Sequence, residues 1–252
     1  MSNKEAIIRE GTGDDRVWRS VYTQNEYHLA ENLTNKIIVD VGANIGAFSC
    51  LAADRGADTI LAIEASPINY VTLEDNIKNR SSIIGINRAV WTKDGSEIAT
   101  CSEEEFKRRV AKTGRPLNYG GWHVGEHTKG DILVKTNTLQ SLLREHNIDH
   151  IDLLKVDCES SEWPLFISLV NDQLFARIKE VVGEYHLFGN VSEVPDGEEP
   201  LPWLRRIFED NGFEVHFASH PTKPEMLGWF YCKRFGLHNN CVEGIENTWG
   251  KH

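Results

Sequence analysis

The chain reads as an α/β protein built on a parallel sheet covered by helices on both faces. Short β-branched runs alternate with longer amphipathic stretches along its 252 residues, and no repeat period is visible. An apolar fraction of 40% with 9% aromatics supports a sizeable core, and 26% charged residues is near the globular average, so one folded domain over 1–252 is expected.

Taken in order, residues 1–35 are expected to form a helical lead-in. The run from Lys36 to Val41 predicts the first strand, followed by a loop from Gly42 to Gly46 and a helix from about Ala47 to Arg55. Thr59 to Ile63 predicts a second strand, and Ser66-Pro67 a helix start with serine as N-cap and proline in the first turn, running to about Asn79. A third strand is expected over Ile83 to Val90. Residues 91–135, with glycines at 95, 114, 120, 121, 125 and 130, predict an insertion of hairpins and loops, helical only near Glu103 to Ala111. A helix from Thr138 to His146, capped by Asn137 or Thr138, precedes a fourth strand at Ile151 to Val156. A helix from Trp163 to Val170 leads to a fifth strand at Glu180 to His186. After a loop over Asn190 to Pro202 come a helix (Trp203 to Asn211) and two strands (Phe213 to Ala218, Leu227 to Cys232) that are expected to close the sheet as an antiparallel hairpin.

Lysine and arginine number 27 against 38 acidic residues, a formal charge of −11, which disfavours a nucleic-acid partner because neutralising phosphates needs clustered cations. The one locally basic stretch, Lys107 to Arg115, follows Glu103, Glu104 and Glu105 and reads as a solvated helix face. Five cysteines without a CxxC pair suit free thiols in a reducing compartment. With no long apolar run, neither a membrane span nor a secretory leader is expected, and a cytoplasmic protein is the default.

The first strand ends in Asp40-Val-Gly-Ala-Asn-Ile-Gly46 and runs into a helix, which builds a glycine-lined crevice at the carboxyl edge of the sheet. Gly42 permits a sharp turn and close approach of a ligand, Gly46 close helix packing, and Asn44 a left-handed conformation. Glu64 lies 22 residues beyond Gly42 at the tip of the next strand, where a carboxylate accepts from both hydroxyls of a ribose. Ala65 and Ala89 are placed beside the same ligand. A dinucleotide fingerprint would have glycine where this chain has Asn44, and Asp40 is expected to face the crevice with a charge that repels pyrophosphate and attracts a sulfonium or ammonium. The ligand that combines ribose, ammonium, carboxylate and sulfonium is S-adenosylmethionine. An NAD(P)-dependent oxidoreductase and a non-catalytic adenosyl-ligand-binding protein are the alternatives; in the latter, Asp157, Glu184 and His186 would fail to converge.

Ile38 to Phe48, Ile63-Glu-Ala-Ser-Pro67 and Asp152-Leu-Leu-Lys-Val-Asp-Cys-Glu-Ser-Ser-Glu162 resemble, in order, the conserved blocks of the FkbM family of S-adenosylmethionine-dependent methyltransferases. The resemblance implies a class I methyltransferase fold: a Rossmann-like three-layer sandwich with a mostly parallel seven-stranded sheet and an antiparallel C-terminal hairpin. It also implies O-methylation of a hydroxyl on a sugar or natural product, hence a small-molecule or glycan partner. One departure is Ser160, where the family usually has glycine.

With that strand order Asp157 projects at the same edge as Gly42, while Glu184 and His186, two apart, share a face of the fifth strand. Asp157, Glu159, Glu184 and His186 then form a polar rim around the transferable methyl. His186 is the expected general base, with Glu184 or Asp157 orienting it. Alternatively Asp157, Glu184 and His186 bind a divalent cation that acidifies the acceptor. His123-Val-Gly-Glu-His127 matches a zinc-peptidase string, but the surrounding glycines deny it a helix. Tyr119 and Trp122 instead suggest a loop over the acceptor, a substrate lid.

Overall fold

The computed structural model describes residues 6–100, 104, 107, 108, 132–238 and 240–245. The strands are β1 (Ile37–Val41), β2 (Thr59–Ile63), β3 (Ile83–Ile86), β4 (Ala89–Val90), β5 (Glu97–Thr100), β6 (Ile132–Asn137), β7 (Ile151–Val156), β8 (Ile178–His186), β9 (Phe213–Ser219) and β10 (Leu227–Arg234). Helices are α1 (Asp14–Trp18), α2 (Ala47–Asp54), α3 (Pro67–Ile77), α4 (Leu139–Glu145), α5 (Glu162–Asn171) and α6 (Pro200–Glu209).

Seven strands form one sheet in the order β3-β2-β1-β7-β8-β10-β9. The first five pair in parallel, whereas β10 runs antiparallel to both β8 and β9, which makes this the class I methyltransferase arrangement. Because side chains alternate across a strand, neighbouring residues feed two separate cores. Val39, Val41, Leu154 and Val181 pack with α5 and α6 through Trp163, Phe166, Leu204 and Phe208. Ile38, Ile60, Leu153 and Val182 pack on the other face with Phe48 of α2 and Leu73 of α3. Two-sided burial explains why these strands read as continuous apolar runs.

The helix starts obey local chemistry. Ser66 accepts from Asn69 N at 3.5 Å and Pro67 opens α3, while Thr138 caps α4 through Ser141 N at 3.1 Å.

Three expectations need correction. The third strand is broken after Ile86: Asn87 donates its side-chain amide to the carbonyls of Glu64 (2.8 Å) and Ala65 (3.1 Å), and the chain leaves the main sheet. Ala89 therefore opens β4, in a second sheet ordered β4-β6-β5. The last helix starts at Pro200, because Pro200 and Pro202 fit its first turn, where no intrahelical donor is needed. Among the described residues of the lead-in, helix is confined to α1 and a π-helical turn at Arg19–Thr23; left-handed residues at Asn25, His28 and Asn35 keep the chain between that turn and β1 irregular.

The expected helix over 103–111, the His123 to His127 string, the proposed lid at Tyr119 and Trp122 and most of the basic stretch lie outside the described residues. Among the described residues no helix is long and apolar enough to cross a membrane.

Candidate active site

The loop after β1 is shaped by close backbone contact with the loop after β7. Gly42 has φ +78°, and a Cβ placed there would lie 1.8 Å from the carbonyl oxygen of Asp157, so only glycine fits. Asn44 is left-handed at φ +53°. Gly46 is required for its φ of +87° rather than for space, since the nearest atom to a Cβ there is Ile77 Cγ2 at 3.4 Å, an ordinary contact.

This loop forms one wall of a cleft, with Gly42, Asn44, Glu64, Ala65, Ala89 and Asp157 among its lining. Glu64 accepts from Asn44 N and from Ser66 N, each at 2.8 Å. An ionised carboxylate has about four acceptor directions, so Glu64 retains capacity for ligand hydroxyls. Burial raises its pKa, against the pull of those two backbone donors.

Asp40 is placed differently from its expected position. It is fully buried on the α2 face of β1, where Ser49 Oγ donates to it at 2.7 Å and Lys155 Nζ lies 3.2 Å away. Its charge is met inside the protein by a lysine directly across the β1–β7 ladder, and it does not line the cleft. Asp157 does line the cleft, as Glu64 and Glu159 do, and it is held by a 2.8 Å hydrogen bond from Tyr27 Oη.

A second, wider cleft adjoins the first, and Tyr27, Asn44, Asp157 and Glu159 line both. Glu184 and His186 line this second cleft, together with Glu26, Phe188 and Trp229. His186 Nε2 stands 3.6 Å from Glu159 Oε2 and 3.7 Å from Glu184 Oε2, and its Nδ1 lies 3.0 Å from Glu162 Oε1. Glu162 also accepts from Cys158 N at 3.0 Å, and Trp229 Nε1 donates to Glu184 at 3.0 Å. Thus Asp157, Glu184 and His186 do converge on one cavity, which removes the condition set for a non-catalytic binder.

Electrostatics revise the roles. Burial alone would lower the His186 pKa, but Glu162, then Glu159 and Asp157, override it and push it up to about 10. That shift favours the imidazolium form of His186, which has no lone pair to accept a proton. Burial raises Glu159 to about 7 despite the neighbouring His186 charge. Glu184 goes well above the carboxylate range through burial and the proximity of Asp157.

Among the described residues, the potential ligand atoms that approach within 4.8 Å of one another belong to Asp157, Glu162 and His186 rather than to the expected Asp157, Glu184 and His186. In that set His186 Nδ1 and Glu162 Oε1 already engage each other at 3.0 Å.

Sequence reasoning missed Tyr27, Lys155 and Glu162. Tyr27 carries no local signal, being 130 residues from Asp157. Lys155 was visible as a charge inside an apolar strand, as was Asp40, and Glu162 as the last acid of its block.

A model of the methyltransferase FkbM domain matches residues 40–215. The chain is 26% identical over 245 residues to methyltransferase sdnD of Sordaria araneosa, covering 86% of this chain and 89% of that one. It is 26% identical over 246 residues to 31-O-demethyl-FK506 methyltransferase FkbM of Streptomyces tacrolimicus, covering 88% and 90%. A solved methyltransferase FkbM from Methylobacillus flagellatus superposes with TM-score 0.48 at 12% identity, over 85% of this chain and 47% of that one. With a match across more than half its length, the chain belongs to the FkbM methyltransferase domain family.

Proposed function

We propose that the protein transfers a methyl group from S-adenosylmethionine to a hydroxyl of a small molecule or glycan. The observation that carries this reading is the shared wall: two clefts meet at Tyr27, Asn44, Asp157 and Glu159. A donor in the first and an acceptor in the second would face each other there. The first cleft fits the donor: Gly42 brings bare backbone to the ligand, Glu64 offers acceptor directions for ribose hydroxyls, and Asp157 offers a carboxylate to a cation. When bound, S-adenosylmethionine supplies a methyl group on positively charged sulfur.

The chain's own residues do the rest. Glu159, titrating near 7 and lining both clefts, takes the proton from the acceptor hydroxyl. Glu184, its pKa raised by burial and by Asp157 and its carboxyl fixed by Trp229, can donate to or accept from a second acceptor hydroxyl. The His186 imidazolium, clamped by Glu162, keeps Glu159 from rising further above neutrality. Phe188 and Trp229 give the second cleft flat apolar surface for a ring. The printed name of the Streptomyces relative, a 31-O-demethyl-FK506 methyltransferase, supports a hydroxyl on a natural product as acceptor. The acidic balance supports a small molecule over a nucleic acid.

The test is a labelled-methyl transfer screen over hydroxylated sugars, polyketides and phenols, with and without chelator. The expected result is chelator-insensitive label on an acceptor oxygen. Label on nitrogen or carbon, or on RNA alone, would overturn the reading.

A further inference from the structure

Lys155 is a buried cation that the acid–base chemistry leaves unused. It is 4% exposed in a strand otherwise made for the core, and removing an ammonium from water is costly without partners. Its partners all belong to the donor cleft or shape it. Nζ donates to the Gly42 carbonyl at 2.8 Å, pairs with Asp40 Oδ1 at 3.2 Å and lies 3.9 Å from Asp157 Oδ2. It also sits 5.7 Å and 6.0 Å from the ring centroids of Tyr27 and Phe48, and it lines the cleft itself. One ammonium therefore stands among two carboxylates at the floor of the site.

Methyl transfer changes the charge of what the cleft holds. The bond from sulfur to methyl breaks with its electron pair staying on sulfur, a new bond forms from the acceptor oxygen, and the hydroxyl proton goes to Glu159. A cationic sulfonium enters and a neutral thioether leaves. We propose that Lys155 is a specificity-determining residue that sets how strongly the cleft distinguishes the sulfonium donor from the thioether product, by cancelling Asp40 and offsetting Asp157. Without this ammonium two carboxylates would act on the cleft uncompensated and favour the cation; with it, product competes effectively with donor. This inference rests on S-adenosylmethionine being the donor.

The experiment is calorimetric binding of S-adenosylmethionine and of S-adenosylhomocysteine to the wild-type chain and to Asp40→Asn, Lys155→Met and the double variant. At an effective dielectric of about 20, a unit charge about 12 Å from a cation changes its affinity roughly tenfold, and a nearer one changes it more. Asp40→Asn leaves the ammonium opposed by Asp157 alone and should move the affinity ratio roughly tenfold towards S-adenosylhomocysteine. Lys155→Met should move it by a similar factor towards S-adenosylmethionine, and the double variant should return it to near the wild-type ratio. Should Lys155→Met fail to fold, with Asp40 left buried and unpaired, the Asp40→Asn and double variants still decide the matter. A ratio within threefold of wild type in Asp40→Asn, or an unrestored ratio in the double variant, overturns the proposal while leaving the donor assignment intact. Failure of the wild-type chain to bind either compound overturns the donor assignment itself, and the proposal with it.

Discussion

Replacing Glu159 by glutamine keeps size and shape but removes the one group at the junction of the clefts that titrates near working pH. Its carboxyl is raised to about 7. One unit below that value about a tenth of the molecules carry the base, and one unit above about nine tenths do. The wild-type kcat/KM for the acceptor should therefore climb roughly tenfold from pH 6 to pH 8, because the ionised form is the active one. Loss of a positioned base costs about 10²–10⁴-fold. His186 is not expected to take over, because Glu162 remains at 3.0 Å and, with Asp157, continues to raise its pKa. Glu159→Gln is thus expected to lower kcat at least about a hundredfold, to abolish the rise near pH 7 and to leave donor affinity within about threefold of wild type. Steady-state kinetics from pH 5.5 to 9 with parallel donor titrations measure all three. A variant that keeps kcat within threefold, or keeps the limb near pH 7, would refute the assignment of Glu159.

Other outcomes rest on particular contacts. Gly42→Ala places a Cβ against the Asp157 carbonyl at 1.8 Å and should abolish donor binding or folding, seen by calorimetry and circular dichroism. Ser160 is buried at φ +78° and its hydroxyl accepts from Asn190 N at 3.3 Å. Ser160→Gly relieves strain of about 1 kcal/mol and loses a bond of similar worth, so urea melts should show almost no change, whereas Ser160→Ala keeps the strain and should lose about 1 kcal/mol. His186 has a folded pKa raised above its unfolded value of 6.5, so the stability it confers is complete below pH 6.5 and is lost as pH rises through about 10. Thermal melts should show that decline in wild type and a flatter profile in His186→Gln.

How much of this was legible in the sequence depends on the range of the interaction concerned. The strands β1, β2, β7 and β8 announce themselves because burial on both faces selects β-branched and apolar residues throughout, and Ser66 and Thr138 are local capping signals. The break between β3 and β4 was hidden because it depends on Asn87 reaching back to Glu64 and Ala65, a pairing that no period records. Strand alternation says that Asp40 shares a face with Ile38, but not that Lys155 lies opposite, so a charge that seemed to face the ligand is internal. The proton on His186 was unreadable for a related reason: it depends on Glu162, Glu159 and Asp157 arriving together from the turn after β7 and the start of α5. Convergence at the carboxyl edge is a consequence of topology and was foreseeable; the protonation states depend on distances of a few ångströms and were not.

The most direct measurement is a calorimetric comparison of S-adenosylmethionine and NAD⁺ binding to the wild-type chain. One site saturated by S-adenosylmethionine, lost in Gly42→Ala, with NAD⁺ producing no heat, is the predicted result. Saturable binding of NAD⁺, or none of S-adenosylmethionine, would contradict it.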